Sequence, residues 1–359
     1  MDDNSKFDVV IIGAGVIGLA IAERLSYSYP NILIIEKEKK FGQHISSRNS
    51  EVTHSGIYYP TNSLKSKLCI KGNKLLYEFM KKYDLPFLNS GKLVVASNQS
   101  EEKILNKLLE NAKKNNIEDV EIISAEKAKS IEPRVKCSSA LWVPSSGVMD
   151  SHKVMQRLEY NFTLNNGLVV YNTKVNSISR HRQGYNVKTN TDDIVHTKIL
   201  INATGLWGNH ISNMLGIKTP KIYYCKGQYY KTNRYKNINC LIYPVPSEIS
   251  LGIHTVTQLN GDVAFGPNAY YVDDIDYSID ESYKEYFLSH INKYLDIDEV
   301  DIRPDFCGIC PKLQSKNGSF MDFYINNESD QNFINLIGID SPGLTSSLAI
   351  AEYVESIII

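Results

Sequence analysis

This chain has no excess of charge of either sign, no disulfide framework and no apolar run of membrane length, and each absence removes a class of function. Lys and Arg number 39 against 40 Asp and Glu, a formal charge of −1, so the positive field of a phosphate-backbone binder is missing and no nucleic-acid partner is expected. The lysine-rich stretch from Lys103 to Lys114 reads as a solvated helix face. Six cysteines (Cys69, Cys137, Cys225, Cys240, Cys307 and Cys310) are scattered without zinc spacing, which excludes a secreted disulfide scaffold, favours a reducing compartment and predicts no metal site. No segment reaches the roughly 18–20 apolar residues of a membrane span. The apolar run Val9 to Ala22 is not expected to be a signal peptide, because Met1-Asp-Asp is not basic and no small-residue cleavage site follows. Internal repeats and low-complexity linkers are absent too.

What remains is an ordinary globular composition, 42% hydrophobic and 22% charged. At 359 residues it exceeds the roughly 250–300 at which single cores stop growing, so two coupled lobes are expected. Phe7 to Ile12 is a continuous apolar run ended by Gly13, as in a parallel strand covered on both faces. Val16 to Tyr27 has helical spacing, and Asn31 to Glu36 is a second buried strand, completing a βαβ unit. Helices are predicted over 73–82 and 100–115 with a strand, 91–97, between them. Short strands follow at 169–179, 184–189 and 198–202, then an antiparallel sheet over 221–273 and a helix over 281–294. A strand at 333–338 and a helix at 345–358 close the chain. The apolar end, Val354 to Ile359, is read as a buried last helical turn rather than a membrane foot. The expected fold is thus α/β, with a discontinuous Rossmann-like lobe (1–85, 146–215 and 326–359) and a substrate lobe carrying the antiparallel sheet (86–145 and 216–325).

Gly13-Ala-Gly15-Val-Ile-Gly18 gains force from its place between strand and helix. Gly13 allows the tight turn, Gly15 lets N–H groups approach a pyrophosphate, and Gly18 lets helix and strand pack closely. Glu36 ends the next strand roughly 20 positions later, where a carboxylate accepts hydrogen bonds from an adenosine ribose. The fingerprint fits NAD and FAD alike. Two further small-residue turns, Ala203-Thr-Gly205 and Gly338 to Ser347, the latter opening a helix, suit the flavin edge that becomes anionic on reduction.

The segments Ser46 to Pro60, Leu64 to Asn73, Ile242 to Pro246, Gly252 to His254, Phe265 to Asn268 and Gly338 to Ser347 together resemble the D-amino-acid-oxidase-like FAD oxidoreductases, within them the L-2-hydroxyglutarate dehydrogenase/oxidase group. The resemblance implies a non-covalent FAD, two domains, and oxidation of a small 2-hydroxy acid, with relatives acting on glycerol-3-phosphate or amino acids. Electrons would pass to a quinone or electron-transfer protein, in the cytoplasm or at the inner face of a membrane. Expected cofactor contacts are Gly13, Gly15, Val16, Ile17, Gly18, Glu36, Lys37, Ser46, Ser47, Arg48, Asn49, Val175, Ala203, Thr204, Gly205, Gly338, Pro342, Gly343, Leu344 and Thr345.

Oxidising a secondary alcohol needs a base for the hydroxyl proton and cations for the acid, and histidine is the first candidate base. The resemblance places His54 beside the flavin, as base or substrate ligand, or holding only flavin or backbone. His254 is expected to line the pocket, with a structural role as its alternative. Tyr58 and Tyr243 are candidate pocket residues, with core packing as their default. Cys310 stands where the family usually has an arginine for the substrate carboxylate, so Lys312, Arg303 or Lys226 must supply that charge, or the substrate differs, or activity is reduced. Cys307 and Cys310 also spell C-x-x-C, read here as coincidence because no second pair accompanies it. A flavin protein without turnover, serving as redox sensor or subunit, is the alternative of another class.

Overall fold

The computed structural model describes residues 6–236, 238–246, 252–295, 302–328 and 331–359. Met1-Asp-Asp, used above against a leader peptide, lies outside them. The chain forms two compact units: unit 1 is Met1–Ser47, Ser151–Tyr224 and Cys310–Ile359, and unit 2 is Arg48–Asp150 and Cys225–Ile309. Residues 48–85, grouped above with the cofactor lobe, lie in unit 2, and residues 310–325, grouped with the substrate lobe, lie in unit 1.

Unit 1 is built around strand β1 (Lys6–Ile12), whose unbroken apolar run reflects burial on both faces. It pairs in parallel with β2 (Ile32–Ile35) on one side and with the strand Ile194–Asn202 on the other, so that Ile12 is level with Ile35 and Asn202. The far edge of Ile194–Asn202 is shared: its first half pairs antiparallel with Gly184–Thr189 and its last three residues pair parallel with Phe333–Ile337. The parallel strands therefore end together, at the edge where open α/β sheets bind ligands. Helix α1 (Val16–Leu25) buries Leu19, Ala20, Ile21 and Leu25 and packs against the helices Ser151–Leu164 and Gly343–Ile357. Each large side chain so buried contributes about 1.5–3 kcal/mol. The exposed pair Arg24–Glu355 at 2.7 Å adds at most about 1 kcal/mol, so packing holds this layer.

A buried polar network pins the strand ends. The Asn202 amide donates to Gly208 O at 2.9 Å and Asn335 Oδ1 at 2.9 Å, and its oxygen accepts from the Thr204 hydroxyl at 2.7 Å. Asn335 donates onward to Glu328 at 2.9 Å. At the end of the chain the last helix runs to Ile357, Val354 is buried, and Asn332 exchanges hydrogen bonds with the Ile359 backbone, while the Ile359 side chain is exposed. Among the described residues no helix is long and apolar enough to cross a membrane.

Unit 2 holds three small sheets. One pairs β3 (Val52–Thr53) and β4 (Phe87–Leu88) with Gly147–Met149. Helix α2 (Leu64–Lys82) starts nine residues before the expected Asn73, capped by Ser63, whose hydroxyl accepts from Ser66 N at 3.1 Å. Gly72 and Asn73, poor helix formers, hid this stretch. Asn73 is there for another reason: its amide donates to the carbonyls of His54 and Ser145, each at 2.9 Å. Helix α3 (Gln99–Lys114) does the same for the next residues, Asn111 donating to Ile57 O at 2.8 Å and Tyr59 O at 2.9 Å.

The expected antiparallel sheet exists, with Val263–Gly266 paired between His254–Thr257 and Tyr223–Thr232. One strand departs from the expectation. Leu241–Pro244 leaves that sheet and pairs in parallel with β5 (Lys92–Ala96), Leu241 opposite Lys92 and Tyr243 opposite Val94. Strand alternation then puts Lys92, Val94, Leu241 and Tyr243 on one face, and Leu93, Val95 and Ile242 on the other. These faces belong to two different apolar clusters.

Replacing Asn202 by leucine strands the Asn335 and Gly208 partners. Its unfolding midpoint in denaturant should fall by an amount equivalent to about 1–3 kcal/mol, whereas an unchanged midpoint would remove the network from the account.

Candidate functional site

In unit 1 the turn after β1 is shaped for a phosphate. Gly13 has φ +105°, and a Cβ there would lie 2.7 Å from Ala203 O. A Cβ on Gly18 would collide with the Gly13 carbonyl oxygen. Gly15 opens α1 without a side-chain cap and no acidic residue lies in the first turn, so the positive end of the helix is not neutralised. The Ser46 hydroxyl accepts from Val16 N at 3.0 Å, and Ser47 Oγ donates to Gly42 O in a short contact. Gly42 N in turn donates to Ala14 O at 3.0 Å. The 45–47 turn is thereby tied to the glycine loop.

Glu36 is buried, and its two carboxylate oxygens accept from Ala14 N at 2.7 Å and Glu38 N at 2.9 Å. Each oxygen keeps a second lone pair, so the carboxylate is fixed in place yet able to accept ribose hydroxyls. Beside it Lys37 Nζ lies 3.2 Å from the centroid of the Trp207 ring, and the His44 ring packs edge-on to Trp207 at 4.7 Å. His44 Nε2 lies 2.8 Å from Glu38 Oε1, and that hydrogen bond is the main reason the Glu38 carboxyl titrates below its usual range. Trp207 and His44 were not anticipated; the aromatic in Gly205-Leu-Trp207 was the available signal.

The other small-residue turns also belong to unit 1. Ala203 N donates to Ile12 O at 3.0 Å, and Gly205 has φ +57°. Gly338 has φ +71°, Gly343 N donates to Asp340 O at 2.6 Å, and the helix from Gly343 likewise starts without a side-chain cap or first-turn acid. Ile17, Pro342, Leu344 and Thr345 stand in the first turns of these two helices or at their caps. Val175 instead packs in the apolar cluster of Val10, Ile12 and Leu33. Two helix ends with open N–H groups, a turn that only glycine permits and an anchored carboxylate fit a dinucleotide cofactor.

Lys312 Nζ pairs with Asp340 at 3.2 Å within unit 1. Arg48 and Asn49 lie in unit 2: the Arg48 guanidinium stacks 4.2 Å over Tyr277, and Asn49 Oδ1 accepts from Glu51 N at 2.8 Å. Lys226 pairs with Asp276 at 3.0 Å, and Arg303 is exposed. Cys307 and Cys310 lie on the single strand Arg303–Lys312. Three positions along a strand span about 10 Å and alternate faces, beyond disulfide reach. Among the described residues no group of three or more His, Cys, Asp or Glu could hold a metal ion.

Unit 2 brings His54, Tyr58, Tyr243 and His254 together around a residue that sequence reasoning passed over, Lys92. Its side chain is fully buried, with Nζ 4.7 Å from the Tyr58 ring centroid and 4.9 Å from that of Tyr243. Tyr243 stacks on His254 at 3.8 Å and 8°. The His54 carbonyl is held by Asn73 and by the Cys69 thiol at 3.5 Å. Burial lowers His54 to about 3, helped by the nearby Lys92 charge, and lowers His254 to about 3. Both imidazoles are therefore neutral at pH 7. Burial likewise brings Lys92 down to about 7. The signal for Lys92 was a lysine opening the otherwise apolar run Lys92 to Ala96.

The family described as FAD dependent oxidoreductase (DAO) matches residues 8–357. The L-2-hydroxyglutarate dehydrogenase of Arabidopsis thaliana mitochondria is 34% identical over 97% of this chain and 83% of that protein. The glycerol 3-phosphate dehydrogenase of Caloramator mitchellensis is 30% identical over 98% of this chain and 74% of that protein. Among solved structures, the L-alpha-glycerophosphate oxidase of Mycoplasma pneumoniae with FAD bound superposes with a TM-score of 0.90 at 26% identity, covering 100% of this chain and 95% of that one.

A Gly18→Ala substitution should yield protein without bound flavin, read from its visible spectrum; full occupancy would contradict the cradle. The buried histidines also set a pH dependence. Their folded-state values lie below the ordinary 6.5, so the unfolded chain takes up their protons first and stability falls as pH drops from about 6.5 toward 3. The slope is about 1.4 kcal/mol per pH unit for each, shallower for the partly exposed His54. Chemical denaturation between pH 6 and 4 should show this loss, and His254→Gln should flatten it.

Proposed function

We infer the reaction from one premise: the chain belongs to the DAO family of FAD-dependent oxidoreductases. On that premise it oxidises the secondary alcohol of a 2-hydroxy acid, L-2-hydroxyglutarate, to the oxo acid 2-oxoglutarate. The observation that carries this reading is the clustering in unit 2 of His54, Tyr58, Tyr243 and His254 around the buried Lys92. Removing a hydride from C2 requires the hydroxyl proton to leave as well, and a neutral histidine can take it. FAD, when bound, accepts the hydride at N5.

The geometry supports the remaining roles. Glu36 would hold the adenosine ribose of FAD, the N–H groups opening α1 its pyrophosphate, and those at Gly343 to Thr345 the flavin edge. Gly13, Gly15 and Gly18 keep side chains out of the cradle, with Ser46, Ser47 and Ala203 to Gly205 shaping its wall. His54 is the base, set in place through its carbonyl by Asn73, and His254 lies stacked on Tyr243 within the same cluster. Electrons leave to a quinone or an electron-transfer protein, in the cytoplasm or at the inner face of a membrane.

Support for the substrate comes from the relatives named L-2-hydroxyglutarate dehydrogenase. A second reading, oxidation of glycerol-3-phosphate, is favoured by the Caloramator relative and the Mycoplasma oxidase. With a soluble quinone analogue as acceptor, L-2-hydroxyglutarate should be converted to 2-oxoglutarate, and His54→Gln should lower kcat about 10²–10⁴-fold with flavin retained. Turnover of glycerol-3-phosphate but not of L-2-hydroxyglutarate would install the second reading in its place.

A further inference from the structure

A buried ammonium without a counter-ion is costly. Taking one out of water costs several kcal/mol unless it is paired and hydrogen-bonded. Lys92 is 0% exposed, and among the described residues its Nζ finds no hydrogen-bond partner. The Tyr58 and Tyr243 rings offer cation–π contacts at 4.7 and 4.9 Å, but such contacts contribute about 1–2 kcal/mol and satisfy none of the three N–H donors. The phenol hydroxyls of the same tyrosines are also buried without a partner among the described residues. Three unpartnered donor groups thus converge on one face of the sheet formed by β5 and Leu241–Pro244.

Among the described residues, the titratable groups that face Lys92 are neutral or cationic. The loop after β3 supplies His54 and Tyr58, α2 supplies Cys69, and the strands Leu241–Pro244 and His254–Thr257 supply Tyr243 and His254. Burial raises the Cys69 thiol and the Tyr58 and Tyr243 phenols, so none of them becomes an anion near neutral pH. The cluster provides donors and proton acceptors and, among the described residues, no negative charge of its own.

We propose that Lys92, with the Tyr58 and Tyr243 hydroxyls, is an anion receptor that takes one carboxylate of the substrate acid and so selects for it. This rests on the reading of the protein as a 2-hydroxy-acid oxidoreductase. Because burial holds Lys92 near pKa 7, a carboxylate arriving above that pH draws a proton from solvent onto the amine. Binding is then independent of pH below about 7 and weakens tenfold per unit above it.

The test uses the FAD-loaded enzyme and 2-oxoglutarate, which it cannot oxidise, followed through the perturbed visible spectrum of the flavin. The dissociation constant should rise about tenfold from pH 7.5 to 8.5. Lys92→Met should weaken binding about 100-fold or more with flavin retained, and Lys92→Arg should restore part of it. Calorimetry of the wild type at pH 8 in buffers of different ionisation heat should report uptake of nearly one proton per 2-oxoglutarate, a readout that needs no variant. Equal affinity in wild type and Lys92→Met, or binding without proton uptake, overturns the proposal. If 2-oxoglutarate fails to bind the wild type while glycerol-3-phosphate binds it in a Lys92-dependent way, the substrate reading fails and the carboxylate assignment with it.

Discussion

Unit 1 depends on the register of β1. With Ile12 level with Ile35 on one side and Asn202 on the other, three strand ends meet at one line, and the turns leaving them are forced into a common space. Gly13 N donates back to Ile35 O, and Ala203 N to Ile12 O, so the glycine turn and the 203–205 turn are extensions of the sheet's own hydrogen bonding. A slip of one residue would turn every side chain of β1 to the other face and remove Glu36 from reach of Ala14 N. The cofactor cradle is a consequence of sheet register before it is a property of any one side chain.

Unit 2 is organised by a different constraint, the parallel pairing of β5 with Leu241–Pro244. That pairing joins residues about 150 positions apart and brings Lys92, Tyr243 and, through stacking, His254 into one cluster. Asn73 and Asn111, polar residues on two helices, fasten the 54–59 loop by its carbonyls. Backbone anchoring of this kind fixes the 54–59 loop through its carbonyls rather than through its side chains. Burying a charged group without a counter-ion costs stability, and sites of function are where such costs are found.

Much of unit 1 was legible because its signals are local. The apolar run of β1, the three glycines and Glu36 lie within 30 residues of one another, and their spacing carries direct geometric meaning. Lys92 was not legible: in sequence it is one lysine at the edge of a strand, the ordinary place for a solvated one. Its burial follows from pairing with a distant strand that was expected in another sheet. The early start of α2 was hidden by Gly72 and Asn73, and Asn73 proves to be there for what it holds. The C-x-x-C pair was read as coincidence, and its place on one extended strand gives the physical reason.

Two features carry the proposed function: the glycine turn with its anchored carboxylate in unit 1 and the Lys92 cluster in unit 2. An anaerobic visible spectrum of the purified protein, before and after adding L-2-hydroxyglutarate with the D-enantiomer as control, tests both most directly. The account predicts a flavin band that bleaches with the L form alone. A band that persists with both enantiomers would contradict the assigned substrate, and a protein that carries no flavin after supplementation with FAD would contradict the cradle.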